Sequence, residues 1–187
     1  MEHVGKYLEE LQKIIAHLNK EEIITIISVL EQARDSHKTV FIMGNGGSAS
    51  NASHFVNGLS QGATVEGKTR FKAIALTDNI PNLLAYGNDY GYDNIFAEQL
   101  KNLLSEGDIV IGISGSGNSP NVLKAIEYAN TNNAITIGFS GFDGGKLKKM
   151  VRYSLHVPCN CMEIVEDVHL ALTHLISSSF KDTFKKK

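Results

Sequence analysis

The sequence has little of what marks several protein classes. Two cysteines, Cys159 and Cys161, are too few to staple a chain of 187 residues, so no disulfide framework is expected. No apolar run approaches the roughly 20 residues that span a bilayer. The N-terminus, MEHVGKYLEELQK, is charged and amphipathic. It lacks the apolar core of a secretory signal, which predicts a reduced, cytoplasmic protein. Charge of one sign is missing too: 18 Lys+Arg against 20 Asp+Glu leave a net −2, with no basic footprint for nucleic acid. The one basic block, Lys185-Lys186-Lys187, reads as part of a terminal tail over 181–187.

What the chain does have is glycine, 17 of them, in an ordinary globular balance of 42% hydrophobic and 20% charged residues. The length predicts one domain. Residues 1–36 read as two amphipathic helices, with Val4, Tyr7, Leu8, Leu11, Ile14, Ile15 and Leu18 at helical spacing and a second such run from Ile23 to Ala33. Their strongly apolar faces suit an interface between subunits. Over 37–180 the texture changes. Short β-branched runs at 39–43, 71–76, 108–113, 134–139 and 153–157 alternate with helical stretches near 48–61, 79–86, 92–104, 119–130, 143–150 and 162–180. Most of the short runs are apolar throughout, as strands buried on both faces of a parallel sheet are. The expected fold class is therefore α/β, a doubly wound parallel sheet with right-handed crossovers.

In such sheets ligands bind beyond the carboxyl ends of the strands. Eight of the 17 glycines fall in three loops that each follow a predicted strand. The first, Met43-Gly44-Asn45-Gly46-Gly47-Ser48, runs from strand into helix, where free amides and the helix dipole favour an anion. Its Gly44-x-Gly46-x-x-Ala49 spacing also satisfies a dinucleotide fingerprint. The ribose-binding acid expected ~20 residues on is missing, however, since Asp78 stands 34 residues after Gly44. The second loop, Ile113-Ser114-Gly115-Ser116-Gly117-Asn118-Ser119, ends at Pro120, which suits the first turn of a helix capped by Ser119. Its hydroxyls and amides can wrap a phosphate without Lys or Arg, and the Gly-Lys-Ser/Thr ending of an ATP-binding loop is absent. Cys159-Asn160-Cys161 has no second pair and is expected to be two reduced thiols rather than a metal site. Gly87-Asn88-Asp89-Tyr90-Gly91, taken alone, reads as a turn.

These segments, with Phe142-Asp143-Gly144-Gly145-Lys146 and Glu166-Asp167-Val168-His169-x4-His174, occur in an order that resembles the sugar isomerase (SIS) domain, and within it the phosphoheptose isomerases. The resemblance spans nearly the whole chain. It implies a flavodoxin-like five-stranded sheet, a homotetramer with active sites between subunits, and one zinc ion per subunit. It also implies conversion of sedoheptulose 7-phosphate to D-glycero-D-manno-heptose 7-phosphate for bacterial surface glycans such as lipopolysaccharide. Carried over by position, Asn45, Gly46, Gly47, Asn88 and Asp89 line the sugar site, and Ser114, Gly115, Ser116 and Ser119 hold the phosphate. His54, Glu166 and His174 become the zinc ligands, with Glu166 and His174 catalytic and Glu166 also touching substrate. The family's His-x-x-x-Glu pair is broken, because His54 is followed four residues on by Gly58, and the family's glutamine is Glu166 here. The loss of that glutamate leaves a second function open, a SIS-type protein that grips sugar phosphates or serves regulation without turnover. His169 is expected to be a partly buried histidine or a residue that orients the site, and Asp167 a solvated helix charge.

Overall fold

The structure, a computed structural model, describes residues 2–181; the predicted basic tail lies almost wholly outside them. Helices α1 (Glu2–Ala16) and α2 (Lys20–Asp35) precede the sheet. The break between them is set by Asn19, whose side chain accepts hydrogen bonds from the Glu21 and Glu22 amides and so starts the second helix. Then come β1 (Thr39–Gly44), α3 (Gly47–Asn57), β2 (Lys72–Ala75), α4 (Ile80–Tyr90) and α5 (Ile95–Leu103). β3 (Ile109–Ser114), α6 (Pro120–Thr131), β4 (Ile135–Ser140), α7 (Leu147–Met150), β5 (Tyr153–His156) and α8 (Met162–Ser179) complete the chain.

All strands pair in parallel, in the order β2-β1-β3-β4-β5. That is the flavodoxin-like order, in which the winding reverses between β1 and β3. The predicted α/β class is borne out, and the two ligand-loop candidates follow the two strands that flank this reversal. The alternation along each strand explains the two-sided core. Val40 and Ile42 of β1 pack with α3 and α8 residues such as Phe55, Val165 and Leu172. Phe41 and Met43 face the opposite layer, with Phe96, Val122 and Ile126.

Three local expectations are corrected. The helix predicted over 48–61 ends at Asn57 and continues as one wide π turn, Gly58–Gly62. The predicted strand over 71–76 is shorter, and as the sheet's edge it leaves Ile74 exposed. Gly87-Asn88-Asp89 is not a turn: α4 is launched by the Asn79 cap and Pro81 and runs through these residues to Gly91, whose φ of +83° ends it. Among the described residues no helix is long and apolar enough to cross a membrane.

Candidate active site

Helices α3 and α8 lie side by side and run the same way, and they make one seam. At its start Gly47 faces Glu166, so closely that a Cβ on Gly47 would overlap the Glu166 carboxylate. Asn51 Nδ2 then donates to the Glu166 carbonyl at 3.1 Å. One turn on, His54 meets His174, and beyond them Gly58 faces Ser177.

The start of the seam opens into a cavity of about 240 Å³. It is lined by Gly46, Gly47 and Ser48 of the first loop, Ser114, Gly115, Ser116 and Ser119 of the second, and Glu166. No Lys or Arg lines it. Ser119 occupies the N-cap position of α6 but its side chain makes no cap bond; its Oγ lies 3.0 Å from Ser114 Oγ instead. The predicted cap is therefore a hydroxyl turned to the cavity. Gly117 closes the loop at φ +65°, and its amide donates to the Ser114 carbonyl at 2.9 Å. A Cβ there would collide with the Gly144 carbonyl of the neighbouring loop, so only glycine lets the two loops touch.

Asn45 separates this cavity from a larger one of about 770 Å³, whose walls include Asn88, Ile80, Leu84 and Tyr92. The Asn45 side chain is held in place by three hydrogen bonds. It exchanges hydrogen bonds with the buried Asn121 amide (2.9 and 2.8 Å) and accepts a third from the Tyr92 hydroxyl at 2.8 Å. The predicted sugar-site residue lines both cavities and also braces the first loop to α6. Asn88 lines the larger cavity, whereas Asp89 accepts from the Asn88 amide at 2.7 Å and lines none of the cavities.

The far end of the seam opens into a cavity of about 670 Å³ lined by His54, Asn57, Gly58, His174 and Ser177. His54 Nε2 and His174 Nε2 are 2.6 Å apart with the rings edge to face, so one ring donates its Nε2–H to the other. These are two of the three predicted zinc donors. Glu166 is not with them: eight residues separate it from His174, about 12 Å of rise along a helix. Among the described residues no group of three His, Cys, Asp or Glu is placed to hold a metal. A zinc site needs three or four protein ligands, so the donors of one chain do not fit the implied ion. The same spacing separates the two predicted catalytic residues.

The rest of α8 is structural. His169 is fully buried, edge-on to Phe139, and neither ring nitrogen has a hydrogen-bond partner. Burial holds it neutral and pushes its pKa down to about 4. It is buried more completely than the partial burial expected of it. Asp167 is the exposed helix charge expected, and it also accepts from the Tyr7 hydroxyl at 2.6 Å, a bond that raises the phenol to about 12. Cys159 and Cys161 are free thiols. Sequence reasoning missed Tyr92, and also Ser53, which donates to Asp78 in the loop after β2 and lies 3.2 Å from Thr77. A tyrosine after a glycine and a serine inside a helix carry no signal in a one-dimensional pattern.

The fold and the hydroxyl loops at its switch point define a class, the SIS-domain proteins, and the family model of the SIS domain matches residues 6–141. Full-length relatives narrow this. A probable phosphoheptose isomerase of Thermoplasma acidophilum is 38% identical over 96% of this chain and 98% of its own length. Phosphoheptose isomerase of Geotalea daltonii is 36% identical over 94% and 93%. A solved phosphoheptose isomerase from Neisseria gonorrhoeae superposes with a TM-score of 0.87 at 30% identity, covering 97% of this chain and 96% of that one. The chain belongs to the phosphoheptose isomerases, a family of isomerase enzymes.

Proposed function

We propose that the chain interconverts sedoheptulose 7-phosphate and D-glycero-D-manno-heptose 7-phosphate in the cytoplasm, supplying heptose for surface glycans. The observation that carries this is the seam between α3 and α8, with a hydroxyl- and amide-lined cavity at one end and two facing imidazoles at the other. The ends are about 12 Å apart by helix rise. An extended seven-carbon sugar phosphate spans about 10 Å from C1 to phosphorus, at roughly 1.2 Å per bond of a zigzag chain. Ser114, Ser116 and Ser119 with the Gly46 and Gly47 amides take the phosphate, which leaves C1 and C2 at the histidines.

Moving the carbonyl from C2 to C1 requires a proton to leave C1 and one to arrive at C2. In this reading one imidazole, unprotonated at Nε2, accepts the C1 proton. The other, protonated at Nε2, donates to the carbonyl oxygen and stabilises the enediolate charge. Reversal of the roles delivers the proton to C2. No step is assigned to a metal, because one chain brings only two of the donors.

The reading extends to a homotetramer. Val4, Leu8 and Ile15 on α1, Ile24 on α2, and Ile80 and Leu84 on α4 are large apolar side chains left exposed on the single chain, the surface that association covers.

Purified protein incubated with sedoheptulose 7-phosphate should yield the aldose product, and His174→Ala should abolish it. A second reading, sugar-phosphate binding without turnover, is favoured by Gly58, where the family's glutamate has no counterpart. Tight binding of the heptulose phosphate with no product would select it.

A further inference from the structure

The serine loop leans on the loop between β4 and α7, residues 141–146. The Gly141 amide donates to the Gly115 carbonyl at 2.8 Å, and the Leu147 amide, just past the loop, donates to the Gly117 carbonyl at 2.9 Å. The Lys146 amide donates to Asn118 Oδ1 at 3.2 Å, and Asn118 Nδ2 donates in turn to the Ser116 carbonyl at 2.9 Å. The peptide units that carry the serine hydroxyls are therefore placed by this support loop.

The support loop is itself strained. Phe142 has a φ of +49°, in the left-handed region that a bulky side chain rarely adopts. Both of its backbone groups are bonded there. Its amide donates to the Cys159 carbonyl at 3.0 Å, and its carbonyl lies 3.0 Å from His156 Nε2. His156 closes β5, paired with Ser140 just before the loop begins. Its other ring nitrogen, Nδ1, lies 3.0 Å from Lys148 Nζ. A carbonyl can only accept and an ammonium can only donate, so the two contacts select one tautomer: Nε2 carries the proton and Nδ1 is bare. Lys148, anchored in this way, lays its stem against the bare Cα of Gly144, whose carbonyl abuts Gly117 of the serine loop. One imidazole thus grips the support loop at two points.

We propose that His156 is a positioning residue for the phosphate seat: it clamps the support loop through Phe142 and Lys148, and that loop sets the serine hydroxyls and amides. His156 does not line the seat itself. The proposal rests on the reading of the serine loop as the phosphate seat.

The test is titration calorimetry of sedoheptulose 7-phosphate with the intact wild-type protein, His156→Ala and His156→Gln. The glutamine amide offers Phe142 a donor in the place of Nε2–H, and alanine offers none. Alanine is expected to weaken binding about tenfold, the scale of one lost hydrogen bond with a group left unpaired, and glutamine by less than about threefold. A merely structural role has another signature: fewer molecules are competent, so the stoichiometry drops while the affinity of the rest stays unchanged. Unchanged affinity in His156→Ala overturns the proposal, and so does a loss that glutamine does not rescue. Lys148 is exposed, so Lys148→Ala spares the core while taking the stem off Gly144. It is expected to weaken binding about threefold, and no change there also overturns the proposal. Ser116→Ala, measured alongside, isolates the underlying reading. Full affinity in that variant means that the seat is misplaced and overturns both, whereas lost affinity there with full affinity in His156→Ala overturns this proposal alone.

Discussion

The two ends of the α3–α8 seam are built from different materials. At the loop end the ligand-facing groups are backbone amides and short serine hydroxyls. They sit where they do because the winding of the sheet reverses between β1 and β3. At the histidine end everything depends on long side chains from two helices, and one replacement, a glycine at position 58, removes a functional group altogether. The loop end can change little without breaking the fold, whereas the histidine end can change chemistry while the fold stays intact. Mutations that respect this difference should separate affinity from turnover.

The largest effect is expected at the histidine end. His174→Ala removes one of the two facing imidazoles but touches no residue of the serine cavity. Turnover should drop by about a hundredfold or more, while calorimetric affinity for sugar phosphate changes by less than threefold. If affinity collapses along with turnover, the two ends are not independent and the comparison fails.

Next in size is Gly117→Ala at the loop end. The added Cβ meets both a positive φ and the Gly144 carbonyl, so the two loops must part. A loss of about 3 kcal/mol in stability is expected from denaturant unfolding, with sugar-phosphate affinity lost as well. A variant as stable as wild type would show that the loops are not locked together.

A similar magnitude is stored beneath the seam, in His169. An unfolded histidine titrates near 6.5 and the buried one near 4, so the unfolded chain binds the extra proton between those values. Stability from this source is full above pH 6.5, falls as the pH drops toward 4, and is level below it. The loss is about 3 kcal/mol at 1.36 kcal/mol per pH unit. His169→Leu should flatten that part of the stability profile relative to wild type. Identical slopes for the two proteins would mean that His169 is hydrated in the folded state.

How far this division could be read in advance depends on what each end is made of. The strands, their parallel pairing and the position of both glycine loops follow from apolar runs and turn chemistry, because a buried parallel strand has few alternative readings. Ser114, Ser116 and Ser119 were legible for the same reason. The facing of His54 and His174 was legible only through likeness to a family. The set with Glu166 did not gather, because eight residues along one helix carry two side chains apart. Asn88 and Asp89 look like turn formers until the Asn79 cap and Pro81 start a helix upstream of them. Asn45 lines both cavities, but its second task as a brace could not be read, since nothing in a linear pattern shows that Asn121 and Tyr92 hydrogen-bond to its amide.

A smaller effect probes the missing carboxylate. A Cβ at Gly58 would stand 3.0 Å from Ser177 Oγ and 3.1 Å from its Cβ, and Ser177 is buried. Gly58→Glu alone is therefore expected to strain the seam, whereas Gly58→Glu with Ser177→Gly gives the new side chain room beside both histidines. The double variant should raise turnover several-fold. Elemental analysis should find zinc retained after gel filtration by the double variant and not by wild type. Stoichiometric zinc on the wild-type protein would mean that a third donor reaches the histidines from another chain.

The smallest expected effect bears on the brace between the two cavities. Tyr92 is largely exposed, so its ring adds little to the core, but its hydroxyl is one of three groups that hold the Asn45 amide. Tyr92→Phe removes that single bond and leaves the reciprocal Asn45–Asn121 pair. A net hydrogen bond contributes about 1 kcal/mol, so the first loop should loosen without opening. Since Asn45 leads directly into Gly46 and Gly47, the cost falls on the loop end: KM for the sugar phosphate should rise about threefold to fivefold while kcat stays within twofold. Asn121→Ala breaks the stronger pair and leaves the buried part of the brace empty, and it should raise KM further in the same direction. A change in kcat with KM unmoved would place the brace in the chemistry of the histidine end and dissolve the division between the two.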